Sequence, residues 1–253
     1  MAKVRFDKQI AAHYDDTSVH KYRPEVLDPA VDFLEKLAVH GAALEFGIGT
    51  GRVALALSGR GVPVHGIDIS EPMLEQLRRK PRSEQIAVTV GDFAKTRVDG
   101  RFQLAYLVFN TITNLTTQDE QVACFQNAAA HLTPGGYFVI ECVVPELRRV
   151  PPGERVRTFD VSRGHLAFDE YTDFTGQILY SHHYWLGEGE LRTFSAPYRY
   201  VWPAELDLMA QLAGLTLRER WADWNREPFT DESPSHVSVW EKAAAAPGDA
   251  SNS

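Results

Sequence analysis

Residues 42–51 read Ala-Ala-Leu-Glu-Phe-Gly-Ile-Gly-Thr-Gly. An apolar run that ends in an acid and passes into three alternating glycines predicts a strand over 42–46 and a bare turn opening a helix. Without side chains, the turn exposes backbone amides to a charged ligand. The spacing restricts that ligand. A dinucleotide turn places its third glycine three residues after the second, and Arg52 stands there. A phosphate-cradling P-loop needs a Gly-Lys-Ser/Thr ending, which is absent. Glu45, two residues before Gly47, would repel phosphate and attract an ammonium or a sulfonium.

The rest of the chain has a strand–helix rhythm up to Pro145. Pro24 opens a helical stripe of Val26, Leu27, Ala30, Val31, Leu34, Leu37 and Ala38, with Pro29 able to shorten or kink it. Strands are expected over 62–67, 86–90, 104–109 and 137–144. Helices are expected from Arg52 to Leu57, after a Ser70 cap, and from Thr116 or Thr117 to the turn Pro134-Gly135-Gly136. Alternation of this kind implies parallel βαβ units with right-handed crossovers. Between 153 and 201 the pattern changes to four β-branched, aromatic stretches separated by Gly-rich turns, which predict antiparallel strands. A helix carrying Leu206, Leu208, Met209, Leu212 and Ala213 and strands at 216–221 and 237–240 close the chain. The fold class is therefore α/β: a Rossmann-like, doubly wound, seven-stranded, mostly parallel sheet with an antiparallel β insertion after strand five. The expected parts are a helical lid (1–40), a cofactor-binding domain (41–144 and 202–242), a β cap (145–201) and a disordered tail (243–253).

Composition narrows the function. A formal net charge of −8 over 253 residues disfavours nucleic acid. The one dense basic run, Arg78-Arg79-Lys80, falls where a helix should end and its dipole favours cations. No apolar run is long enough to span a membrane, and no secretory signal is visible. Cys124 and Cys142 lie in apolar patterns without metal-ligand neighbours, as expected of buried thiols in a cytoplasmic protein. No His/Cys/Asp cluster has zinc spacing.

Glu45-x-Gly47-x-Gly49-x-Gly51 resembles motif I of the class I S-adenosylmethionine-dependent methyltransferases. Gly66-Ile67-Asp68-Ile69-Ser70, Gly91-Asp92-Phe93 and Leu132-x-Pro134-Gly135-Gly136 follow in that family's order. The resemblance covers about residues 10–145 and the closing strands. It implies S-adenosylmethionine as cofactor, with Asp68 on the ribose hydroxyls and Asp92 on the adenine amino group. Ile69, Met73, Phe93 and Val108 would line the adenosine site, and Asn110 would face the methionine end. Met73 and Phe93 could equally be core, and Asp68 and Asp92 caps. His13-Tyr14-Asp15-Asp16 and Tyr22-Arg23 resemble the lid of the small-molecule branch, which includes amino-sugar N-methyltransferases. The resemblance makes Tyr14 the residue that reaches over the cofactor and Arg23 the one that holds its carboxylate.

The insertion should line the acceptor pocket, with Asn114 and Tyr184 as candidate substrate contacts. His182 and His183 are adjacent in one strand and must face opposite ways; His182 is the candidate for the pocket, and for catalysis with Tyr14. The expected reaction is methyl transfer to N, or O, of a small molecule by a monomer or homodimer. O- or C-methylation of an aromatic natural product is the alternative. An NAD(P)-dependent oxidoreductase and a cofactor-binding regulator without turnover remain as rivals.

Overall fold

The computed structural model describes residues 6–17, 19–187 and 190–244. The expected disordered tail and the middle of the Gly187–Glu190 turn lie largely outside these residues. Two helices, α1 (Lys8–Thr17) and α2 (Pro24–Ala38), lead into β1 (Ala43–Phe46), α3 (Arg52–Gly59), β2 (Val64–Asp68), α4 (Glu71–Arg78), β3 (Ala87–Val90), β4 (Phe102–Leu107), α5 (Gln118–His131) and β5 (Leu132–Val143). The insertion is β6 (Val156–Ser162), β7 (His165–Asp173), β8 (Ile178–Gly187) and β9 (Glu190–Arg199); α6 (Pro203–Leu212), β10 (Leu215–Trp221) and β11 (Ser235–Lys242) follow.

The main sheet has the order β10-β11-β5-β4-β1-β2-β3, and the insertion is a separate sheet β6-β7-β8-β9. β1 pairs in parallel with both β2 and β4, so the order reverses at β1. β11 is antiparallel to β5 and to β10. Alternate residues feed opposite layers. Leu44, Phe46, Leu107, Phe138 and Ile140 pack with α5 and α6, while Ala43, Leu104, Tyr106 and Val139 pack with α2, α3 and α4. Among the described residues no helix is long and apolar enough to cross a membrane.

Local chemistry sets the ends of the elements. Ser70 Oγ accepts from the Met73 amide at the start of α4. Thr117 and Glu120 form a reciprocal capping box at α5. Pro29 neither ends nor splits α2. Two expectations need correction. The helix before β5 stops at His131, and Pro134-Gly135-Gly136 sits within the strand as an irregularity between the Leu132 and Tyr137 pairings. Leu208 and Leu212 are 60% and 68% exposed, because α6 turns Leu206, Met209 and Ala210 inward instead.

Phe125 of α5 meets Phe138 and Trp240 edge-on, at 5.0 and 5.3 Å between ring centroids, and all three rings are fully buried. Phe125→Ala should lower the free energy of unfolding by about 3–5 kcal/mol in chemical denaturation.

Candidate active site

In an open parallel sheet, ligands sit beyond the carboxyl ends of the strands where the order reverses; here that is the edge between β1 and β4. The three loop glycines have φ of +70°, +54° and +78°. A Cβ on Gly47 would lie 2.5 Å from Thr111 Cγ2, and one on Gly51 2.3 Å from Leu77 Cδ1. Backbone conformation and lack of space thus both demand glycine. Asp68, at the end of β2, fixes the loop: Oδ2 accepts from the Gly49 amide at 2.7 Å, and Oδ1 from the Ser70 amide at 2.8 Å. Burial raises its pKa and the amide bonds oppose this. The Gly49, Ser70 and Ile69 amides take three of its acceptor positions, which leaves room for a hydroxyl donor.

Met73 is buried with its methyl against Gly49. Ile69 is half-buried beside Asp68, and Val108 is buried in the layer beneath the loop. Asp92 Oδ1 accepts from the Ala94 amide at 2.9 Å, so it caps its own turn. The Phe93 ring stacks on Phe46 at 5.9 Å inside the core, which makes it a packing residue in this structure.

The N-terminal segment packs against this loop. Tyr14 lies within electrostatic reach of Arg52, Asp68 and Asp15; burial is the main reason its hydroxyl pKa rises. Asp15 accepts from the Tyr22 hydroxyl at 2.5 Å and from Thr50 Oγ1 at 2.7 Å, and pairs with Lys80 Nζ at 2.6 Å. Lys80 also donates to the Thr50 carbonyl at 2.8 Å. Arg23 does not join them: it is exposed at the head of α2, where its backbone rather than its side chain caps the helix. The cations beneath the lid are Arg52 and Lys21, which the sequence reading had not assigned to the site. Arg52 Nη1 donates to the Lys21 carbonyl at 3.4 Å. Burial, with the Arg52 charge, lowers Lys21 to about 7, and its ammonium sits 3.0 Å from the Phe109 ring centroid.

Phe109 and Asn110 are consecutive left-handed residues, each with φ +57°. That conformation is rare for a bulky side chain and is held by β5. Glu141 Oε2 accepts from the Phe109 amide at 2.8 Å, and Asn110 Oδ1 accepts from the Val143 amide at 2.7 Å. Asn110 is therefore engaged in joining two strands. Asn114 Nδ2 donates back to the Thr111 carbonyl at 3.2 Å.

The insertion turns one face to the lid and the sheet edge. Ala167, Tyr171, Ser181 and Ala196 are buried on it, and Phe194 stacks on Phe6 of the lid at 6.3 Å. His183 lies on this face, opposite Ala167 and Phe194 in register, with Lys21 near enough to influence its ionisation. His182 and Tyr184 are on the other face, with Phe168 stacked at 4.9 and 6.0 Å. The choice of His182 for the pocket is thus corrected to its neighbour, and Tyr184 falls away from the site with it. Asp169 shares the His183 face. Burial is the main cause of its raised pKa, eased by the Ser181 hydroxyl, Arg157 and His182.

Glu45 also differs from expectation. It is buried under the loop, where its Oε2 accepts from the Tyr106 hydroxyl at 2.9 Å. Burial raises it to about 8, against Tyr106 and Arg52, so near neutrality it is mostly protonated. The folded state holds this proton above the pH at which an unfolded glutamate releases it. Stability from this group is therefore complete below about pH 4.3 and declines up to about pH 8. Relative to Glu45→Gln, the wild-type unfolding free energy should fall between these limits, by at most about 1.4 kcal/mol per pH unit in denaturant titrations.

A bare amide loop, a carboxylate with a remaining acceptor position at the end of β2 and a half-buried arginine near Tyr14 fit S-adenosylmethionine. The family described as methyltransferase domain matches residues 43–136. The chain is similar to the CcbJ methyltransferase from Streptomyces caelestis, with 41% identity, 86% of this chain and 89% of that one covered, and a TM-score of 0.78. It is 28% identical over 238 residues to a cypemycin N-terminal methyltransferase from a Streptomyces species, covering 90% of this chain and 97% of that protein. S-adenosylmethionine-bound CalS10, an amino pentose methyltransferase from Micromonospora echinaspora, shares the fold at 22% identity and a TM-score of 0.66, with 86% and 91% covered. Sequence, fold and site agree: the chain belongs to the S-adenosylmethionine-dependent methyltransferases.

Proposed function

We propose that this enzyme methylates an amine nitrogen of a small molecule held between the sheet edge and the inner face of the β cap. The observation that carries this reading is the Asp169 carboxyl, sunk in that face, with burial raising its pKa. A desolvated acid is stabilised by cations: Arg157 supplies one from the neighbouring strand, and a bound ammonium would add a second. The relative named for N-terminal methylation, similar over nearly its whole length, supports the same acceptor chemistry.

The cofactor supplies an electrophilic methyl group on a sulfonium. The protein's part is placement and exclusion of water, worth up to about 7–11 kcal/mol for ideal alignment. Asp68 would take the ribose hydroxyls, and Asp92, through the oxygen not used for its turn, the adenine amino group. Arg52 would take the carboxylate, the role the sequence reading gave to Arg23. Met73 and Ile69 would bound the adenosine, and Tyr14 would close over the reacting atoms. The lid (residues 1–40), the cap (145–201) and the sheet domain would then act as one enclosure, in a monomer or homodimer in the cytoplasm.

Incubation with S-adenosylmethionine and a panel of primary amines, secondary amines and phenols, followed by mass spectrometry, should give N-methylated products. Methylation of phenols alone would replace this reading by O-methylation, which the aromatic rings of the inner face would accommodate. Asp68→Ala should weaken S-adenosylmethionine binding at least about tenfold, as loss of charge-assisted hydrogen bonds implies. Calorimetry measures this, and an unchanged Kd would remove Asp68 from the ribose site.

A further inference from the structure

The inner face of the cap carries a hydrogen-bonded chain that ends at His183, on the face that also holds Phe194 against Phe6. His165 Nδ1 lies 2.8 Å from Asp160 Oδ2, and His165 Nε2 lies 3.2 Å from His183 Nδ1. The two rings are parallel within 10°, and Trp185 stacks on both, at 5.1 and 5.3 Å. This arrangement fixes tautomers. The Asp160 carboxylate can only accept, so His165 carries a proton on Nδ1, and in its neutral form the ring presents a bare Nε2. His183 must then donate from Nδ1, and its Nε2 is left as a lone pair. Ser181 Oγ is 3.4 Å from that nitrogen, but its hydroxyl proton is given to Asp169. Burial is the main reason His183 is held down to about 4, against the pull of Asp160, so the ring is neutral near pH 7.

Resting on the amine reading above, we infer that His183 Nε2 accepts a hydrogen bond from the N–H of the bound amine and that Asp160, through His165, locks and polarises that acceptor. The bound ammonium first passes one proton to the Asp169 carboxylate, which frees the nitrogen lone pair; as that pair forms the C–N bond, the S–C bond breaks and its electrons stay on sulfur. The positive charge thereby moves from sulfur to nitrogen. The N–H becomes a stronger donor in the transition state than in the bound substrate, so this hydrogen bond strengthens where the barrier lies. It also turns the lone pair away from His183 and toward the methyl group. The extra proton on the product nitrogen passes to water on release. His183 is a catalytic residue in this scheme; His165 and Asp160 are positioning residues. Asp160 can serve from the rim because its side chain, 43% exposed, needs only to face His165, which is 20% exposed.

Imidazole ¹⁵N NMR of the full chain without cofactor should show His183 protonated on Nδ1 and bare on Nε2. Asp160→Ala should shift it toward the Nε2–H form that free imidazole prefers. With an amine acceptor, His183→Ala should lower kcat by about 10²-fold, as removal of one preorganised hydrogen-bonding partner does. Asp160→Ala should lower kcat by about tenfold with little change in amine KM. Both variants should keep the wild-type Kd for S-adenosylmethionine and the wild-type Tm. A wild-type His183 protonated on Nε2, or unchanged kcat for N-methylation in His183→Ala, overturns the inference while leaving the amine reading intact. Exclusive O- or C-methylation by the wild type overturns both.

Discussion

The bond from the Gly49 amide to Asp68 ties the end of β2 to the loop after β1, and the geometry of the site depends on it. Three left-handed glycines have no side chains with which to hold a shape. Their shape is imposed from outside: by the Asp68 carboxylate, by the Ile67 carbonyl accepting from Gly47 at 2.8 Å, and by Thr111, Met73 and Leu77 filling the places where Cβ atoms would go. An order of strands that reverses at β1 brings these pieces together from elements far apart in sequence.

Charge is distributed around that loop in a way suited to a reaction in which a positive charge changes atoms. Burial neutralises Glu45 and weakens the hold of Lys21 on its proton, so neither group acts as a fixed charge near neutral pH. Arg52 stays as the cation beneath the lid. The acids of the cap, Asp160 and Asp169, lie on the face that, in the proposed reading, the acceptor would meet. A site with fixed anions at the sulfonium would gain affinity for the cofactor but resist departure of its charge; one with anions beyond the acceptor favours the transfer.

The loop, Asp68, the strand–helix rhythm and the four strands of the cap were legible because each depends on local pattern. Parity along β8 was legible too: His182 and His183 do face opposite ways. Which of them looks inward was not, since it depends on how the cap docks on the lid through Phe194 and Phe6, a contact between residues 188 apart in the chain. Lys21 carried no local signal, and Arg52 was read only as a missing glycine. Arg23 was judged by resemblance to a lid, but its place at the head of α2 turns it to solvent. Pro134-Gly135-Gly136 looked like a helix stop because Pro and Gly usually break helices; here β5 absorbs them as an irregularity between two pairings.

The Asp15–Tyr22–Thr50–Lys80 network has a consequence for timing. Thr50 belongs to the glycine loop, Lys80 follows α4, and Asp15 and Tyr22 belong to the lid, so one set of bonds spans all three. The lid cannot lift without releasing the loop from that side. Any movement of this segment away from the loop would have to break a partly solvated ion pair, whose strength falls as ionic strength rises. If cofactor exchange in such an enzyme needs that movement, the salt content of its surroundings would set its pace, while a methyl-transfer step made with the segment in place would be insulated from it.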